Sequence, residues 1–198
     1  MQTIAISNTK PMSGPQTNSF WEYLLVVHPD AGVYAQVMAE KQFFSAKFDD
    51  QMAIKTKPQI TVANFLAMEP MEDTIIRWMR RVISTKKSFT VTLDQYGAFR
   101  PHTIYLRVQD HQPFQQLASE LKVVDQYIRS NGCPEMKLIT NPHLTIARRL
   151  ESQTYQQAVA VYADKTFHAS FTVNELLLLR RQHQFDSCKQ VNVFGLQP

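Results

Sequence analysis

Two nine-residue stretches, KPQITVANF at 57–65 and NPHLTIARR at 141–149, decide the fold between them. Aligned on proline, they read Pro58-Gln59-Ile60-Thr61-Val62 and Pro142-His143-Leu144-Thr145-Ile146, so the pattern agrees everywhere except that Gln59 stands where His143 does. Side chains alternate across a strand, so His143 and Thr145 project together while Leu144 and Ile146 turn the other way, toward a core. Gln59 and Thr61 share a face in the same manner, with Ile60 and Val62 behind them. A separation of 84 residues is too long for a solenoid unit. It points to two similar lobes in one body, whose four front-facing side chains would converge on a single cleft.

Outward from these segments, strands and helices alternate. EYLLVVH at 22–28 reads as a buried strand stopped by Pro29-Asp30, and 31–48 carries helical spacing with Val33, Val37, Met38 and Phe44 on one face. After a strand at 60–66, Glu69, Glu72 and Asp73 open a helix that buries Ile75, Ile76, Met79 and Ile83 and closes on Arg80 and Arg81, as the helix dipole favours. Strands at 89–93 and 103–108 are expected to flank a turn-rich DQYGAFRP. A helix follows from 113 to about 130, ended by Asn131-Gly132. The second motif strand spans 143–148, a helix 152–164, and FTVNELLLLRRQ with KQVNVFGL are read as two closing strands. Hairpin-like pairs interrupt the alternation, so the expected class is α+β, with two antiparallel sheets and flanking helices around a central cleft. Residues 1–20 read as a flexible leader and 21–198 as a single bilobal domain.

The bulk numbers narrow the function little. The chain has 198 residues, is 44% hydrophobic, and carries 21 basic against 17 acidic residues, a formal charge of +4. That balance suits meeting phosphates but falls far short of a nucleic-acid coat. Cys133 and Cys188 stand far apart, in no metal-ligand or redox spacing, so a reducing cytoplasm is expected. No apolar run is long enough to span a bilayer.

The paired segments resemble the H-x-T/S-hydrophobic motifs of the two-histidine (2H) phosphoesterases, the group of the 2'-5' RNA ligases and RNA 2',3'-cyclic phosphodiesterases. The resemblance extends from about Trp21 to Leu196, including the LDQYGAFRPHTIYLRV segment. It implies metal-independent acid–base chemistry with no cofactor, acting as a monomer on an RNA end or a small nucleotide phosphodiester. One histidine would take a proton from the attacking oxygen, the other would protonate the departing ribose oxygen, and the motif hydroxyls would hold the phosphate. Imidazole has an unperturbed pKa suited to both transfers near neutral pH. Carried over residue by residue, the site is His143 as acid or base, Gln59 as its neutral counterpart, and Thr61 and Thr145 as phosphate ligands. Arg149 is added because strand alternation puts it in phase with His143. A glutamine amide hydrogen-bonds but does not titrate, so the expected activity is attenuated, and the alternative is a non-catalytic RNA or nucleotide phosphate-binding module.

Other residues carry plainer readings. The threonine after His102 falls on the opposite strand face, so that pair fails the motif spacing. His28, before Pro29-Asp30 at a strand end that could lie near the cleft mouth, reads first as a turn or capping residue, and His111, His168 and His183 read as exposed element ends. Arg180 and Arg181 read first as a solvated strand end, with added positive potential as the alternative. Aromatic residues make up 11% of the chain, which core packing largely explains, and no stacking residue for a base is singled out.

Overall fold

The computed structural model describes residues 19–183 and 186–198. The leader expected at 1–20 lies outside these residues except for Ser19 and Phe20. In chain order the elements are β1 (Phe20–Val27), α1 (Ala31–Phe48), the short α2 (Gln51–Lys55) and β2 (Ile60–Met68). A single 3-10 turn at Glu69–Met71 then leads into α3 (Glu72–Ile83), β3 (Phe89–Phe99), β4 (Thr103–Val108) and α4 (Gln112–Ser130). The chain continues through the two-residue β5 (Lys137–Leu138), β6 (His143–Arg148), α5 (Ser152–Ala163), β7 (His168–Val173), β8 (Glu175–Arg181) and β9 (Lys189–Gly195).

Local chemistry sets several of these boundaries. Asp30 caps α1, its carboxylate accepting from the Val33 amide at 2.8 Å. Gly132, at φ 78°, supplies the left-handed residue just beyond α4. The helical residues Val33, Val37, Phe44, Ile75, Met79, Ile83, Phe114, Leu121, Ile128 and Tyr162 join the inner strand faces in one buried core.

The strands run β7-β3-β4-β6-β2-β1-β8-β9, every neighbour antiparallel, with β5 added on β2. The two expected sheets are four-stranded halves, and they join where β6 meets β2 through the pair Ile60–Leu144. Both side chains of that pair are fully buried, each burial stabilising by about 1.5–3 kcal/mol. Each half combines a strand–helix–motif strand unit with a strand from the other repeat. β3, which follows α3, pairs with β4, and β8, which follows α5 and β7, pairs with β1.

Two details depart from the sequence reading. FTVNELLLLRRQ is two strands, not one, because Asn174 breaks it and its parts go to opposite halves of the sheet, β7 on β3 and β8 on β1. DQYGAFRP is mostly strand, since β3 runs on to Phe99 opposite Thr103. An irregularity between Leu93 and Tyr96, with Gln95 at φ 63°, re-registers it there.

Candidate active site

The motif strands fix the centre of the site. Extending the Ile60–Leu144 register by one residue each way sets Thr61 opposite His143 and Gln59 opposite Thr145, all four on the front face. The outer neighbours follow in the same way. Arg107 is opposite His143 and Tyr105 opposite Thr145, while Val26 is opposite Thr61 and the next step of that register sets His28 beside Gln59. Two rows therefore cross the sheet, Arg107-His143-Thr61-Val26 and His28-Gln59-Thr145-Tyr105, matched position by position in register about the Ile60–Leu144 pair as a pseudo-twofold.

Both motif strands carry a bulge at the same point of the repeat. Leu25 and Val26 face Ala63 and Thr61, skipping Val62, and Ile104 and Tyr105 face Ala147 and Thr145, skipping Ile146. A bulge shifts the alternation by one residue. Two consecutive residues are then buried in each strand, Val62-Ala63 and Ile146-Ala147, and the next ones, Asn64 and Arg148, reach the front. Arg148 is thus brought to the cleft although simple alternation sends it away. Arg149, beyond the strand end at φ 60°, lines the cleft as well.

The cleft has a volume of about 710 Å³ and is lined by Gln59, Thr61, His143, Thr145, Asn64 and Arg148, with His28, Glu22 and Arg181 at its first-half side. Its potential is mixed but mostly positive. Arg181 Nε donates to Glu22 at 2.6 Å, and Asn64 Nδ2 donates to the other Glu22 oxygen at 2.7 Å. Burial pushes the Glu22 carboxyl up, but these two partners more than offset it and hold it below the usual carboxylate range. Arg181 is therefore a fixed wall of the cleft, not a solvated strand end. Arg180 turns to the opposite side, paired with Glu69 and Glu72 at 3.0 and 2.7 Å.

His143 stands half-buried among aromatic rings. Phe99 and Tyr105 stack at 4.2 Å and 19°, and their centroids lie 4.9 and 5.1 Å from the imidazole. Gly97 makes room for this, since a Cβ there would lie 2.6 Å from Cε2 of the Tyr105 ring. Burial lowers the pKa of His143, opposed by the backbone of Asn141. The Asn141 carbonyl, 3.4 Å from Nδ1, accepts only, so the proton sits on Nδ1 and Nε2 is the free acceptor.

Lys41 is the residue that sequence reasoning missed. It is 1% exposed and its ammonium donates to the Ala53 carbonyl at 3.2 Å, the Thr56 hydroxyl at 3.0 Å and the carbonyl of bulged Ile146 at 3.2 Å. Burial, helped by Arg148, pushes its pKa down to about 8. The available signal was a lysine in the stripe Val33, Val37, Lys41, Phe44 of α1. Among the described residues, no group of three His, Cys, Asp or Glu side chains is placed to hold a metal ion. No described helix is long and apolar enough to cross a membrane.

A family model described as the 2'-5' RNA ligase superfamily matches residues 29–184, and the chain belongs to that family. A Staphylococcus aureus relative, named as a phosphoesterase, is 25% identical over 156 residues, covering 77% of this chain and 88% of its own. Among solved structures, E. coli LigT in complex with 3'-AMP superposes with a TM-score of 0.60 at 16% identity, covering 90% of this chain and 99% of that one. A protein of Thermus thermophilus gives 0.64 at 16%, with coverages of 89% and 98%. At these identities the structural likeness is one of fold, and it bears out the α+β 2H phosphoesterase architecture expected from the paired motifs.

Proposed function

We propose that the cleft binds the phosphate of an RNA end or small nucleotide phosphodiester and that His143 performs metal-independent proton transfer on it, as a 2',3'-cyclic phosphodiesterase or 2'-5' RNA ligase of reduced rate. The observation that carries this reading is the register of β2 and β6. It sets two hydroxyls, one imidazole with a free Nε2 and one amide on a single face, as two cross-strand pairs. Thr61 and Thr145 donate to phosphate oxygens, with Arg148 and Arg149 adding positive charge. His143 acts as the acid or base, and Gln59 holds a phosphate oxygen by its NH2. Phe99, 43% exposed, offers a stacking surface for a base. In this reading residues 21–198 work as one bilobal, monomeric unit in the reducing cytoplasm, without a cofactor.

Gln59 favours a second reading, a phosphate-binding module without turnover, because an amide neither gains nor loses a proton at neutral pH. Hydrolysis of a nucleoside 2',3'-cyclic phosphate by the wild type and His143→Ala separates the two. Turnover that vanishes in His143→Ala supports the enzyme. Equal inertness with retained nucleotide binding supports the module.

A further inference from the structure

His28 is an ionisable group of the cleft that the proposed chemistry leaves unused. It follows β1, and the Val27–Ile60 pair puts it beside Gln59 on the front face, in line with Thr145 and Tyr105. It lines the same cleft. Its Nε2 is sealed from solvent and has no hydrogen-bond partner. A buried ring nitrogen without a partner is costly, and the adjacent Gln59 side chain is close enough to favour the charged imidazole. Gln59, beside His28 across the strand pair, is the side chain placed to satisfy that nitrogen. In the other half the corresponding position is Arg107, opposite His143. One half therefore sets a permanent cation beside a histidine, and the other sets a histidine beside an amide.

We propose that His28 is the titrating residue of the first half-site and acts as a positioning residue through Gln59. An imidazolium only donates, so it takes the Gln59 carbonyl oxygen and turns the Gln59 NH2 toward the phosphate. A neutral imidazole with a bare Nε2 takes the NH2 instead and leaves the carbonyl oxygen, which an anion avoids. Anion binding and protonation of His28 then reinforce each other, as linkage requires. The groups that face His28 pull in both directions: burial and Lys57 disfavour its charge, while Gln59 and Glu175 favour it. This inference rests on the phosphate-site reading above.

The test follows the imidazole resonances of His28 and His143 by NMR between about pH 5 and 8, in wild type and Gln59→Leu, with and without sulfate, whose charge is constant over that range. Sulfate is expected to raise the His28 pKa by about half a unit or more, equivalent to about threefold tighter binding to the protonated protein. Gln59→Leu should remove most of that rise while the His143 response persists. An equal rise in Gln59→Leu means simple charge attraction and overturns the proposal, as does sulfate that moves His143 but leaves His28 unmoved. Sulfate that perturbs neither histidine removes the phosphate-site reading together with this one. Should Gln59→Leu fail to fold, His28→Asn gives the same decision. Sulfate affinity should then lose the part of its pH dependence that does not follow His143, and retention of that part overturns the proposal.

Discussion

The two halves of the cleft share a backbone and differ in their protons. Each contributes a motif strand with a bulge at the same repeat position, a front-facing threonine and a polar residue two places beyond the bulge, Asn64 in one and Arg148 in the other. The second half has an imidazole whose tautomer is set by Asn141 and whose ring is walled by Phe99 and Tyr105. The first has an amide, with Glu22 already engaged by Asn64 and Arg181. The lesson is that the duplicated framework persists independently of the titratable group it presents. Burial of Ile60, Val62, Leu144 and Ile146 holds the strands in place, whatever occupies position 59.

The largest expected effect is on catalysis and falls in one half only. His143→Ala should lower cyclic-phosphate hydrolysis by about 10²–10⁴-fold, whereas Gln59→Ala should cost far less and raise KM more than it lowers kcat. Comparable losses in kcat from the two substitutions would erase the distinction between the halves. At the seam, Leu144→Ala removes a fully buried side chain from the junction of the half-sheets. It should destabilise by about 2–5 kcal/mol in denaturant unfolding.

Lys41→Met sharpens the comparison because the lysine bonds the bulge of the second half alone. The orphaned carbonyls should cost about 1–3 kcal/mol, and the displacement of Arg148 should weaken nucleotide binding. Gly97→Ala pushes against the Tyr105 ring and uncovers His143. With less burial, the imidazole pKa measured by NMR should rise, and a fall would contradict the place given to the rings. The smallest effect is on stability. His28 and His143 both have pKa values lowered by burial, so near and below about pH 6.5 the unfolded chain binds more protons than the native one. Their contribution to stability is present above that pH and is lost as pH falls toward the native values. His28→Phe should flatten its share of that slope in thermal melts.

Much of this was legible in the sequence. The paired motifs, the helix at 31–48 and the motif strand at 143–148 follow from apolar spacing and turn residues, and the structure has α1 and β6 over those spans. The split at Asn174 was not legible, because pairing of β7 and β8 with strands in opposite halves of the sheet is a tertiary choice written in no local pattern. The bulges at Val62 and Ile146 leave a trace, an apolar residue followed by alanine in both repeats, yet only the pairing shows the phase change that turns Arg148 inward. His28 reads first as a turn residue because Pro29-Asp30 follows it, while its neighbour across the sheet, Gln59, lies 31 residues away in sequence.

The central claim is that positions 59 and 143 are equivalent places in one cleft. The most direct measurement is the rate of nucleoside 2',3'-cyclic phosphate hydrolysis by Gln59→His relative to wild type. Equivalence predicts a rise of about 10²-fold or more, abolished by adding His143→Ala. A folded Gln59→His protein that binds the nucleotide yet turns over no faster than wild type would contradict it.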